Sequence, residues 1–334
     1  MIWYNFCHMR GSLSVKIEQF RRGLLYFISL KKRRVSNVGI TATTKCNSRC
    51  NTCHIWKKKE RTEISLKAID NILKNDFPGT EYFLTGGEFI LHPHCEEIIQ
   101  KFKDKNYVLL SNGILGRKLL EIVKRNKVPR VALSFDGVGE MYKKVRGVDN
   151  FDNLHTLIHE LNKICIVSLN FTINPLNNYK KEILLADKFA KEHGVYLALG
   201  IYDNPIFFET TLSKTMIPDL SKLRPYPLSK YLSLYNKWFK GQYRLPCFGI
   251  RNTCMVLPNG DVNICVGKDI VLGNLNRKSL KEIWEDAKTK QKQDELLQCN
   301  SCWLLCQKPM DIMTWDILKL LPRQLLPDKY KKFL

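Results

Sequence analysis

The chain has 334 residues, of which 44% are hydrophobic and 10% aromatic, with only 13 prolines; it can bury a sizeable core, and a disordered or collagen-like polymer is excluded. Fifty-four lysines and arginines against 32 acidic residues leave a net charge of +22, which suits an acidic partner (phosphate, nucleic acid, an anionic lipid surface) or a solvated lysine-rich face. Twelve cysteines are present, and in a cytoplasmic chain these are more often metal ligands than disulfides.

The first 36 residues form a basic segment. From Arg10 to Arg34 it carries eight Lys/Arg and one acidic residue around Phe20, Leu24, Leu25, Phe27, Ile28 and Leu30. Its apolar run is far short of the ~20 residues that span a bilayer, and no secretory signal with a cleavage site opens the chain. A cytoplasmic location follows, with the basic ends free to touch an anionic membrane or to pack on the fold.

From residue 37 strand-like and helix-like runs alternate. The strands read as Val38–Thr43, Tyr82–Thr85, Val108–Ser111, Val131–Phe135, Ile166–Ile173 and Tyr196–Ile201, apolar enough to be buried on both faces. Amphipathic segments at Ser65–Lys74, Cys95–Lys105, Arg117–Arg125, Asn153–Ile164 and Lys180–His193 separate them. The alternation predicts parallel pairing with right-handed crossovers, hence an α/β chain with a partial (β/α)6 barrel over residues 37–202. Residues 203–245, proline-rich at first, read as a connecting region. A small cysteine-rich α+β unit follows over 246–308, with a hairpin turn at Pro258-Asn259-Gly260-Asp261 and a helix near Ser279–Lys290 carrying Trp284. Residues 309–334 read as a basic amphipathic tail.

Cys46, Cys50 and Cys53 follow the first strand within eight residues. Three thiolates on one loop can hold three irons of a [4Fe–4S] cube and leave the fourth open; a zinc loop completed by His54 is the alternative. The C-x-x-x-C-x-x-C spacing at the end of the first strand resembles the radical S-adenosylmethionine (radical SAM) superfamily, and further motifs fall in the expected order. Gly86-Gly87-Glu88 after the second strand is similar to the family's glycine-glycine-glutamate element, which implies contact with the methionine amino group. Ser111-Asn112-Gly113 and Ser134-Phe135-Asp136-Gly137 end the third and fourth strands, where the resemblance implies residues lining the SAM pocket or facing substrate. It implies the same of Asn170 in the fifth strand, Ile201 at the end of the sixth, and Arg146 in Tyr142-Lys-Lys-Val-Arg146-Gly147. The residue before the third cysteine, often aromatic in this family, is Thr52; Ile55 or Trp56 would supply the adenine packing.

Cys247, Cys254 and Cys265 precede Cys299-x-x-Cys302-x-x-x-Cys306. Together with Gly260, four residues lying between it and Cys265, they resemble the SPASM/twitch extension of radical SAM enzymes. The resemblance implies an auxiliary [4Fe–4S] cluster, with Cys265, Cys299 and Cys302 as ligands, Cys247 or Cys254 completing the set and Cys306 in reserve; a zinc ribbon is the alternative. Cys7, Cys95 and Cys165 fit neither cluster. The expected activity is reductive cleavage of SAM to a 5′-deoxyadenosyl radical that takes hydrogen from a carbohydrate, lipid-linked, cofactor-precursor or peptide substrate. The short segment before the barrel counts against a leader-binding peptide maturase. The expected electron donor is flavodoxin or ferredoxin. The competing class is a non-enzymatic zinc or Fe–S module on nucleic acid, against which the strand alternation and Gly86-Gly87-Glu88 argue.

Overall fold

A computed structural model describes residues 32–203, 209–210, 212–225, 227–320, 322 and 324. Most of the basic N-terminal segment, Cys7 and the last ten residues of the expected tail lie outside the described residues. Among the described residues, no helix is long and apolar enough to cross a membrane.

Six strands run parallel in chain order: β1 (Asn37–Thr41), β2 (Glu81–Thr85), β3 (Asn106–Ser111), β4 (Arg130–Ser134), β5 (Ile166–Ile173) and β6 (Tyr196–Ile201). The helices between them present one apolar stripe each to the sheet. They are α1 (Leu66–Leu73), α2 (Cys95–Lys101), α3 (Gly116–Asn126), α4 (Glu140–Arg146), α5 (Phe151–Asn162) and α6 (Lys180–Glu192). In α3, for example, Leu119, Ile122 and Val123 are buried at the i, i+3, i+4 positions, and α1 starts where the Ser65 hydroxyl accepts the Ala68 N–H at 3.1 Å. The partial barrel is therefore present.

The sheet continues past these six strands. β7 (Thr253–Val256) pairs parallel to β1 on the side opposite β2; β8 (Asp261–Cys265) and β9 (Lys268–Asn274) follow antiparallel, giving the order β6-β5-β4-β3-β2-β1-β7-β8-β9. The turn at Pro258–Asp261 joins β7 to β8, with Gly260 at φ +86°. The helix expected over Ser279–Lys290 is two: α8 (Leu280–Glu285) and α9 (Ala287–Glu295). Asp286 leaves the helical conformation and caps the second by accepting the Lys288 N–H.

Two further helices occupy stretches read as connector and tail. α7 (Leu228–Phe239) starts directly after Pro227 and buries Tyr231, Leu232, Tyr235 and Trp238. α10 (Lys308–Leu318) is buried from Lys308 to Trp315. Residues 308–318 are thus part of the core rather than a basic tail.

Candidate active site and auxiliary cysteine site

The carboxyl ends of parallel strands share one edge, where β/α folds gather their ligands. The loop after β1 lies across this edge, clamped from two sides. On the β2 side, Gly87 N–H donates to the Thr43 carbonyl at 2.7 Å and Glu88 N–H to the Lys45 carbonyl at 2.8 Å. A Cβ on Gly87 would stand 2.8 Å from that of Cys46, so the close approach needs glycine.

On the other side the loop sits on the carboxyl end of α4, whose last carbonyls have no partner within the helix. Arg49 N–H and the Ser48 hydroxyl donate to the Arg146 carbonyl at 3.3 and 3.0 Å. Asn51 donates from its backbone to Val145 at 3.0 Å and from its side chain to Lys144 at 2.9 Å. Gly147 ends the helix at φ +68°, and a Cβ there would fall onto the Arg49 carbonyl.

The three thiols on this loop are at least half-buried, Cys50 most deeply. Burial pushes the Cys46 thiol up to about 11 and the Cys53 thiol to about 12, so unliganded they stay protonated and unreactive at neutral pH. Ser48 Oγ lies 3.1 Å from Cys50 Sγ.

The motif residues form two hydrogen-bonded knots around this loop. Glu88, fully buried, accepts from Ser111 Oγ at 2.9 Å and from Asn112 N–H at 2.7 Å; burial raises its pKa against those bonds. Asn112 Nδ2 donates to Asn47 Oδ1 at 2.7 Å and stands 3.9 Å from Cys46 Sγ. In the second knot Asp136, at φ +54°, accepts from Thr172 N–H at 2.7 Å and from Arg146 Nη1 at 3.0 Å. Burial disfavours the Arg146 cation, but the Asp136 carboxylate at 3.0 Å outweighs it and holds the guanidinium charged.

Ser134 and Asn170 are register partners on β4 and β5, and Ile201 closes β6 with its N–H on the Tyr231 hydroxyl at 3.0 Å. Ile55 is buried next to the loop, and Trp56 Nε1 donates to the Cys50 carbonyl at 3.3 Å. Beside the loop opens a cavity of about 430 Å3 whose lining includes Thr44, Lys57, Lys58, Lys59 and Glu209.

The structure gathers five cysteines at a second place. Cys247, Cys265, Cys299, Cys302 and Cys306 interact electrostatically with one another. Burial lifts Cys302 to about 12 and Cys247 well above its usual value, while Cys306 is exposed. Cys254 stands apart on β7, next to Val38 of β1; burial alone raises it to about 12, with no second cysteine contributing.

Sequence spacing missed what surrounds this group. Lys308 and Asp311 of α10 form a fully buried pair at 3.3 Å. Burial raises the Asp311 carboxyl to about 6 against the Lys308 ammonium and the Phe248 and Gly249 N–H groups, whereas burial disfavours the Lys308 ammonium and Asp311 outweighs it, holding the cation. Gln307 is buried, and its amide atoms have no hydrogen-bond partner among the described residues. Asp203, just past β6, accepts the Trp303 N–H at 2.6 Å, and the Tyr231 hydroxyl donates to the Trp303 carbonyl at 3.2 Å. The cysteine loop is thereby tied to the end of β6.

Residues 40–189 match the radical SAM superfamily and residues 247–303 the SPASM iron–sulfur cluster-binding domain. The chain thus carries a radical SAM core followed by a SPASM-type domain, and is an enzyme. Among curated proteins, a probable GTP 3′,8-cyclase of Saccharolobus islandicus is 27% identical over 64% of this chain and 72% of its own length. Another from Methanococcus maripaludis is 29% identical over 43% of this chain and 53% of its own.

Among solved structures, Streptococcus suis SuiB bound to S-adenosylmethionine superposes with a TM-score of 0.62 at 16% identity, covering 84% of this chain and 73% of SuiB. The protein anSMEcpe with bound AdoMet gives 0.55 at 17%, covering 76% and 82%. At such identities these two share the fold.

The family binds SAM at a [4Fe–4S] cluster, and the SPASM domain holds an auxiliary iron–sulfur cluster. The residues fit both groups. Among the described residues no three His, Cys, Asp or Glu side chains converge as they would on a single metal ion, whereas a cube spreads its thiolate ligands over separate irons. Protonated, buried thiols give up their protons on metal binding, and the Gln307 amide, next to Cys306 in the chain, is buried with no hydrogen-bond partner among the described residues.

Proposed function

We propose that Cys46, Cys50 and Cys53 hold the SAM-binding cluster, and that the enzyme uses the 5′-deoxyadenosyl radical to take hydrogen from a small substrate entering at the carboxyl edge of β1–β6. The carrying observation is the cysteine loop clamped between Gly87 and the end of α4 at that edge. When bound, the cluster and SAM supply the electron and the radical. Gly86 and Gly87 bring the backbone close enough for the SAM amino group to meet it, and Glu88, held by Ser111 and Asn112, fixes that backbone.

Asp136 and Arg146 lock α4 beneath the loop, while Ser134, Asn170 and Ile201 line the remainder of the SAM pocket. Cys247, Cys265 and Cys302, with Cys299 or Cys306, hold the auxiliary cluster. Flavodoxin or ferredoxin supplies the electron. GTP is the first substrate to offer, because the curated relatives are named for it and three consecutive lysines line the cavity beside the loop.

The test is anaerobic reconstitution with iron and sulfide, followed by a dithionite-driven assay for 5′-deoxyadenosine. About eight irons per chain should fall to about four when Cys46, Cys50 and Cys53 are all alanine, and deoxyadenosine should disappear. Retained deoxyadenosine formation in that variant would overturn the ligand assignment. GTP that is not consumed would remove it as substrate.

A further inference from the structure

Lys308 and Asp311 lie one turn apart at the start of α10, with side chains 1% and 0% exposed. Asp311 Oδ1 accepts the N–H groups of Phe248 and Gly249, both at 3.0 Å, which fixes α10 to the residues directly after Cys247. Lys308 follows Cys306 by two residues, and its neighbours include the Asp311 carboxylate and the thiols of Cys247 and Cys302.

Taking an ammonium out of water costs several kcal/mol, which one good partner rarely offsets. Here the contact is 3.3 Å, longer than the 2.7–2.9 Å of a strong charge-assisted bond, and the carboxylate already spends one oxygen on two backbone donors. The positive charge therefore needs a further anion. The Gln307 amide beside it, packed on Gly249, is a second buried donor with no acceptor.

We propose that Lys308 is a positioning residue for the auxiliary cluster: its ammonium is the fixed countercharge that stabilises the one-electron-reduced cluster, and Asp311 holds it in place. The inference rests on the auxiliary-cluster reading given above. The step is electron transfer alone. The cluster gains one electron from an external reductant, no bond forms or breaks, and Lys308 keeps its protons.

The experiment uses the full chain with Cys46, Cys50 and Cys53 replaced by alanine, reconstituted so that only the auxiliary cluster is present, and titrated potentiometrically with EPR detection. Lys308→Met should bias the couple against the reduced form about tenfold, a fall of about 59 mV for one electron. Asp311→Asn keeps the acceptor for Phe248 and Gly249, removes a negative charge and should shift the midpoint upward. Opposite signs are what a purely structural role would not produce.

Unmoved midpoints, or shifts of the same sign, would overturn the proposal while leaving the auxiliary cluster established. If Lys308→Met does not load, the Asp311→Asn shift decides alone: a rise supports the countercharge and an unchanged midpoint sinks it. A triple-alanine parent that binds no iron would instead refute the auxiliary-cluster reading together with the inference.

Discussion

Gly147 shows how much can rest on one missing methyl group. Its φ of +68° costs an L-residue about 1–2 kcal/mol, and the Arg49 carbonyl occupies the space a Cβ would need. Gly147→Ala should therefore displace the cysteine loop and lose about half of the bound iron, leaving the auxiliary cluster in place. Iron quantitation against the parent protein checks this. The Arg146-Gly147 pair was visible in the sequence as part of a motif, but its purpose was not, because nothing in the local chain shows that residue 49 would lie against it. The cysteines were legible for the opposite reason. Their chemistry depends on spacing within eight residues, so the linear chain carries it directly. The Lys308–Asp311 pair was invisible, since a lysine two residues after a cysteine reads as surface until the helix around it is known to be buried.

At the scale of elements, strands and crossover helices were legible to within a few residues because each has its own periodicity. α4 was missed because seven residues carry little periodicity, and α7 and α10 because prolines at their starts mimic linker punctuation and lysines within them mimic solvent exposure. The contacts between elements give two tests. Tyr231 on α7 serves both the Ile201 N–H and the Trp303 carbonyl. Tyr231→Phe leaves a buried donor unpaired and should cost about 2 kcal/mol, read from the denaturant midpoint.

Asp187 of α6 accepts from Arg224 at 2.7 Å and from Lys191 at 2.6 Å. Burial opposes its ionisation, but these hydrogen bonds and charges prevail and hold the carboxyl below its ordinary 3.8. A depressed carboxylate stabilises the fold above the unfolded value and loses that contribution as the pH falls through the folded one, so the loss belongs below about pH 4. Asp187→Asn should cost about 3 kcal/mol near neutrality by stranding the buried Arg224 charge, and should flatten this part of the acid limb. Urea melts at pH 7 and pH 3.5 distinguish the two effects.

Across the whole molecule, the SPASM-type domain shares one sheet with the radical SAM core. Val38 and Ile40 of β1 pair with Cys254 and Val256 of β7, so a fragment ending at residue 245 would leave this apolar strand edge unpaired. Such a fragment should aggregate, and light scattering of the purified fragment beside the full chain checks that.

The same pairing has a consequence for the order of events during synthesis. The bond from Ser36 to the Asn252 carbonyl joins residues 216 apart, an interval that a ribosome needs on the order of 10–40 s to translate. Every residue that clamps the first cysteine loop has left the ribosome well before that, while the flank of β1 is still bare. The nascent chain therefore passes through a period in which a catalytic pocket can assemble beside an unsealed strand, and chaperone protection is needed most in that interval.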